Sequence, residues 1–142
     1  RILSKVNYTI QTDAVKDYII PHSTLPEAKK SLEYAEEADV LNLALFKCTA
    51  KQWREANPQL ALQGMNIRDI ASINELAVMS NLESANADMM RNGIARNIRF
   101  QKLYEIARYQ LEILNKQDFL KSIKKSSPDI YLEDGSQNQL PE

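Results

Sequence analysis

The sequence predicts an all-α fold, a single compact bundle of about five to six helices closed by two long antiparallel C-terminal helices. Three observations carry that expectation. Capping boxes recur along the chain, at Thr24-x-x-Glu27, Thr49-x-x-Gln52 and Ser72-x-x-Glu75. Each places a hydroxyl before a helical pattern and a carboxylate or amide three residues on, so that the two groups satisfy backbone N–H groups a helix start leaves free. Apolar residues recur at helical spacing, as in Val78, Leu82, Ala85 and Met89. Only 3 Gly and 5 Pro punctuate the 142 residues, too few for the many turns of a stranded fold.

Taken in order, the first helix runs from about Ser4 to Ile20 and stops at Pro21. The second leaves the Thr24 cap and ends at Phe46, with a break expected near Glu36–Asp39; its last stretch, Val40–Phe46, is apolar nearly all round and reads as the central buried helix. A short helix follows Thr49 and ends at Asn57-Pro58, where proline disfavours helix in the residue before it. Residues 58–71 read as an ordered connection. A long helix leaves Ser72 and stops at Asn92-Gly93. The last long helix spans about Asn97 to Asn115 and is expected to bury Phe100, Leu103, Ile106, Ala107, Ile113 and Leu114. A short helical stretch follows at Asp118–Lys124. Residues 1–125 thus form one helical domain, and 126–142 a polar tail.

Composition narrows the function classes. The chain is 44% hydrophobic and 26% charged with a formal net charge of −1, which advertises neither nucleic acid nor an acidic membrane as a partner of the whole. No apolar run is long enough to cross a bilayer. A single cysteine, Cys48, precludes an internal disulfide and suits the cytoplasm. The chain opens on Arg1, not Met, and reads as a piece of a longer polypeptide. With His22 the only histidine, a multi-histidine metal site has no ligands, and a Cys–His nucleophile would have to be Cys48 with His22. Gly64, Gly93 and Gly135 are isolated, so no phosphate loop exists. Glu36, Glu37 and Asp39 lie in a charged stretch of the kind that usually faces solvent. No catalytic constellation, metal or cofactor is implied, and a binding or assembly role is favoured over an enzyme.

Three groups of residues merit weighing. Trp53, Arg54 and Asn57 form either a recognition surface or a structural anchor; the anchor is favoured because large aromatics are usually buried. Arg68, Asp69, Glu83 and Asn86 form either a buried polar network or a small-ligand pocket, with Asn42 and Asn81 as further polar residues in apolar helical stretches. The network is favoured. Arg96, Arg99 and Lys102 head a basic stretch that could contact phosphates. Against that, Glu105–Arg108, Arg108–Glu112 and Glu112–Lys116 fall at helical pair spacing, as on a solvated face. The acidic segment Glu27–Asp39 could also complement the basic stretch, within one chain or between two.

Two stretches carry a family resemblance. The first is Asn7–Lys16, followed by Tyr34–Phe46 and Thr49–Pro58; the second is Asn66–Asp69, followed by Asn81–Ala87. Together, over about residues 1–115, they resemble the C-terminal region of bacterial and prophage KilA-N domain-containing proteins. The resemblance implies a phage-related protein whose predicted DNA-binding module precedes this region, and DNA contact through that upstream module. The matched residues Trp53, Arg54, Asn57, Arg68, Asp69, Glu83 and Asn86 are then the candidates for whatever the region does. One departure is visible: the family often has His where this chain has Gln11. Amphipathic helices with narrow seams and faces of opposite charge suit a homodimer, which would bring two upstream modules together.

Overall fold

The computed structural model describes residues 2–126, and every described element is helical. Helix α1 (Ile2–Ala14) runs on through a π-helical segment, Val15–Ile19, into a 3₁₀ turn, Ile20–His22. The expected stop at Pro21 becomes this tightening turn, since Pro21 has no N–H to return to the preceding one. A second 3₁₀ turn covers Glu27–Lys29, and α2 spans Leu32–Phe46 without the break expected near Glu36–Asp39. The short helices α3 (Ala50–Ala56) and α4 (Pro58–Leu62) and a 3₁₀ turn, Ile67–Asp69, lead to α5 (Ile73–Arg91) and α6 (Arg96–Ser126). The last two are the long C-terminal pair. Their polar contacts, Asn74 with Asp118, Asn81 with Gln110 and Asn86 with Arg99, fall in one index as they rise in the other, as antiparallel neighbours require.

Two of the three capping boxes form. Thr49 Oγ1 accepts from Gln52 N and Gln52 Oε1 from Thr49 N; Ser72 and Glu75 do the same at the start of α5. The third does not. Leu25 precedes Pro26, which disfavours helical backbone there, so Ser23 Oγ accepts from Leu25 N and α2 starts only at Leu32. Gly93 ends α5 in the left-handed region at φ +72°, with Ile94 N donating to Met89 O and Gly93 N to Met90 O. That double bond is a Schellman stop, and it turns the chain straight into α6.

The last helix differs most from expectation. The break between Asn115 and Asp118 is absent, and α6 is one helix of 31 residues. Neither Gly nor Pro falls between Arg96 and Ser126, so nothing in the backbone forces a stop. Of the tail expected over 126–142, Ser126 is the last residue of α6, and 127–142 lie outside the described residues.

The core joins Val40, Leu41, Ala44 and Leu45 of α2 to Val78, Met79 and Leu82 of α5 and Leu103 and Ala107 of α6. A smaller cluster sets Ala14 and Val15 against Ala87 and Met90, and so fastens the end of α1 to α5. Each large apolar side chain so buried stabilises the fold by about 1.5–3 kcal/mol over leaving it exposed. Ile113, expected in the core, is 42% exposed on the far side of α6. No helix is long and apolar enough to cross a membrane among the described residues.

Candidate functional site

The four long helices meet at one polar cluster inside the bundle. Glu37 of α2 and Arg99 of α6 are 0% and 1% exposed and form a two-pronged ion pair, Arg99 Nη1 to Glu37 Oε1 at 2.6 Å and Nη2 to Oε2 at 2.9 Å. Arg99 Nη1 also donates to Asn86 Oδ1 at 2.7 Å, and Nε donates to Ile94 O at 2.9 Å. Asn86 in turn donates through Nδ2 to Glu37 Oε1 and to Gln11 Oε1, each at 3.3 Å. Gln11, Glu37, Asn86 and Arg99 come from α1, α2, α5 and α6, so a single connected network spans every long helix.

Arg96 extends this network to the surface. Its Nε donates to Glu37 Oε2 at 2.9 Å, Nη1 to Glu36 Oε2 at 2.7 Å and Nη2 to Glu33 Oε1 at 3.0 Å. One guanidinium thus gathers three carboxylates from successive turns of α2. Burial alone would raise the Glu37 carboxyl, but the hydrogen bond and charge of Arg99, with Arg96 behind it, hold it below the ordinary carboxylate value. Glu33 is also lowered, first by a hydrogen bond from Ser23 and then by Arg96.

This placement corrects two expectations. Glu37 is not part of a solvated charge run; it is the buried anion of the core. Arg96, Arg99 and Lys102 do not form one basic surface: Arg99 is internal and Arg96 is held by acidic residues, leaving Lys102 exposed beside Glu105. Arg99 would have to leave the core to meet a phosphate. The acidic segment does complement the basic stretch, within one chain. The pairs expected along α6, Glu105–Arg108, Arg108–Glu112 and Glu112–Lys116, do not form among the described residues. Arg108 instead donates to Ala44 O and Leu45 O, the free carbonyls at the end of α2, and stacks 5.0 Å over the Tyr104 ring.

The quartet Arg68, Asp69, Glu83 and Asn86 divides. Arg68 Nη2 reaches Glu83 Oε2 at 3.3 Å, whereas Asn86 belongs to the Glu37 network and Asp69 caps its own turn by accepting from Asn66 N at 2.8 Å. Glu83 is raised above the ordinary carboxylate value because its burial outweighs the half-exposed Arg68. Glu83 and Asn86 are both buried, so a ligand would have to displace protein partners to reach either. Trp53 is buried as an anchor: Asn57 Nδ2 donates to its carbonyl at 2.9 Å and Arg54 stays exposed. Trp53 also lines an open cleft of about 370 Å³ with Phe46, Cys48, Ile67 and Leu111.

Two carboxylates of opposite character give opposite predictions. Glu37→Gln leaves the Arg99 charge buried without its counter-ion and is expected to lose about 3–5 kcal/mol in urea unfolding at pH 7. Because the folded value of Glu37 lies below the ordinary carboxylate value, its contribution is complete above that ordinary value and is lost as pH falls through the folded one. The gap between wild type and Glu37→Gln should therefore narrow in acid, and a gap that stays constant to pH 3 contradicts the assignment. Glu83 has the other sign: its stabilising share is complete below the usual carboxylate value and is lost as pH rises through the raised one. Glu83→Gln is expected to stay within about 1 kcal/mol of wild type at pH 7, since Arg68 can turn to water; a loss as large as that of Glu37→Gln would refute this. In comparison with known proteins, no family model, no curated protein and no solved structure matches the chain.

Proposed function

We propose that this domain is a non-enzymatic assembly module that pairs with a second copy of itself through the outward face of α6. One observation carries the reading: large apolar side chains stand exposed along α6, with Tyr109 at 67%, Phe119 at 64% and Leu120 at 44%, besides the half-exposed Ile113. Nearby, at the start of α5, Ile73 is also well exposed, and Asn74 bonds Asn115 and Asp118 of α6. Large apolar side chains exposed repeatedly along one helix are the kind of surface that a partner helix covers. The polar residues that could have done chemistry are engaged with one another inside the bundle, which also favours a structural role.

The KilA-N resemblance gives such pairing a purpose. A dimer of this domain would hold two upstream DNA-binding modules side by side, at a spacing that two half-sites on a duplex could match. DNA contact then belongs to those modules and not to α6.

Light scattering across a concentration series tests the reading. The expected result is a mass rising toward twice that of the chain. Phe119→Glu with Leu120→Glu, both at exposed positions, should return it to the monomer with the unfolding midpoint unchanged. A wild-type chain that remains monomeric at several hundred micromolar removes the proposal.

A further inference from the structure

The outward face of α6 has a regular order. Ala107, Leu103 and Arg99 point inward, and Tyr109 lies two residues on from Ala107, about 200° around the helix. From Tyr109 the residues on that outer side recur as Tyr109, Ile113, Lys116, Leu120 and Ile123, at intervals of four, three, four and three. That is heptad spacing, the pattern by which one helix packs its seam along another. α6 therefore has two seams, an inner one that packs the bundle and an outer one with an ionic residue at its middle.

Resting on the self-pairing read above, we propose that two copies pair their α6 helices antiparallel along this outer seam, with Lys116 of each beside Glu112 of the other. The seam is regular enough to fit its own copy, as an isologous contact needs. Lys116 decides the direction. In a parallel, in-register pair, like positions meet, and Lys116 would face Lys116 between layers of Ile113 and Leu120. In an antiparallel pair, Lys116 faces Ile113 of the second copy, and Tyr109 faces Leu120. Glu112 precedes Ile113 by one residue, so the ammonium group of Lys116 reaches its carboxylate at the edge of the seam. The two-fold axis makes the same pair twice. The side chains of Glu112 and Lys116 are exposed and make no ion pair or hydrogen bond among the described residues. Both charges are therefore available to a second copy, and opposite charges set orientation in helix pairs of this kind.

Disulfide trapping in the full chain tests the direction. In a Cys48→Ser background, differently tagged Ile113→Cys and Lys116→Cys chains are mixed and oxidised. Antiparallel pairing predicts the mixed 113–116 disulfide as the main product. Dominant 113–113 and 116–116 products would overturn the proposal in favour of a parallel pair. A dimer by mass that gives none of these products would place the interface elsewhere and overturn the seam, while the self-pairing reading survives. A monomer by mass removes both. As a check free of cysteine, Lys116→Glu should weaken self-association several-fold by setting it against Glu112 of the second copy. Adding Glu112→Lys to the same chain should restore it; no recovery counts against the antiparallel pair.

Discussion

The bundle is organised around the pairing of Glu37 with Arg99. A carboxylate and a guanidinium buried together face a desolvation penalty that only good geometry and further hydrogen bonds offset. Here both prongs of the pair are short, Arg99 also satisfies Asn86 and the carbonyl of Ile94, and Arg96 donates a further hydrogen bond to the Glu37 carboxylate. Since Gln11, Glu37, Asn86 and Arg99 lie on four helices, a shift of any of them along its axis strands a buried polar atom. An apolar core tolerates such shifts more readily, because methyl groups find new neighbours while a buried carboxylate does not. We read the network as what selects one register of the four helices, with the apolar core around Leu41, Leu82 and Leu103 supplying the bulk of the stability.

How much of this was legible depended on how far each feature reaches along the chain. The caps at Thr49 and Ser72 and the stop at Gly93 are complete within a few residues, and they were readable. Thr24 failed because the same local logic contained its own contradiction in Pro26. Asn115 and Asp118 resemble punctuation within α6, although both bond Asn74 as helical side chains. The fate of Glu37 was the hardest to see, since its partner lies 62 residues away. A signal was nonetheless present. Glu37 precedes Leu41 by four residues, and Arg99 precedes Leu103, which precedes Ala107, by the same step; Asn86 follows Leu82 likewise. Polar residues at core spacing on three helices, two of them charged with signs that cancel, read as a buried network once the faces are drawn instead of the charge runs. Glu83 and Asn86 illustrate the opposite lesson. Proximity on one helix suggested one site, but three residues turn the helix far enough to give them separate partners.

The same placement shapes what is left for function. Seen as a charge run, the basic stretch headed by Arg96, Arg99 and Lys102 suggests a phosphate-binding face; with Arg96 and Arg99 turned toward α2 and Arg108 toward its last carbonyls, these three arginines act as internal fastenings. What α6 presents outward is instead a row of apolar side chains with a few charges among them. A surface of that composition is suited to another helix more than to a polyanion, because its free energy of association comes from removing carbon from water.

The two ends of α6 therefore answer to different demands. Its first turn is held by Arg96 and Arg99 against three carboxylates, by the turn at Gly93 and by the core layer at Leu103. Its far half carries the outer seam, beyond the reach of that network. A helix gripped at one end is a preformed lever: its direction is set before any partner arrives, so pairing loses little conformational freedom in aligning it. Loosening the Glu37 network would let the start of α6 rotate. A rotation of one residue's worth, about 100°, would carry the outer seam away from the direction the proposed pairing needs, as surely as removing the apolar side chains would. In this way a polar network wholly inside one chain would bear on the proposed pairing of two.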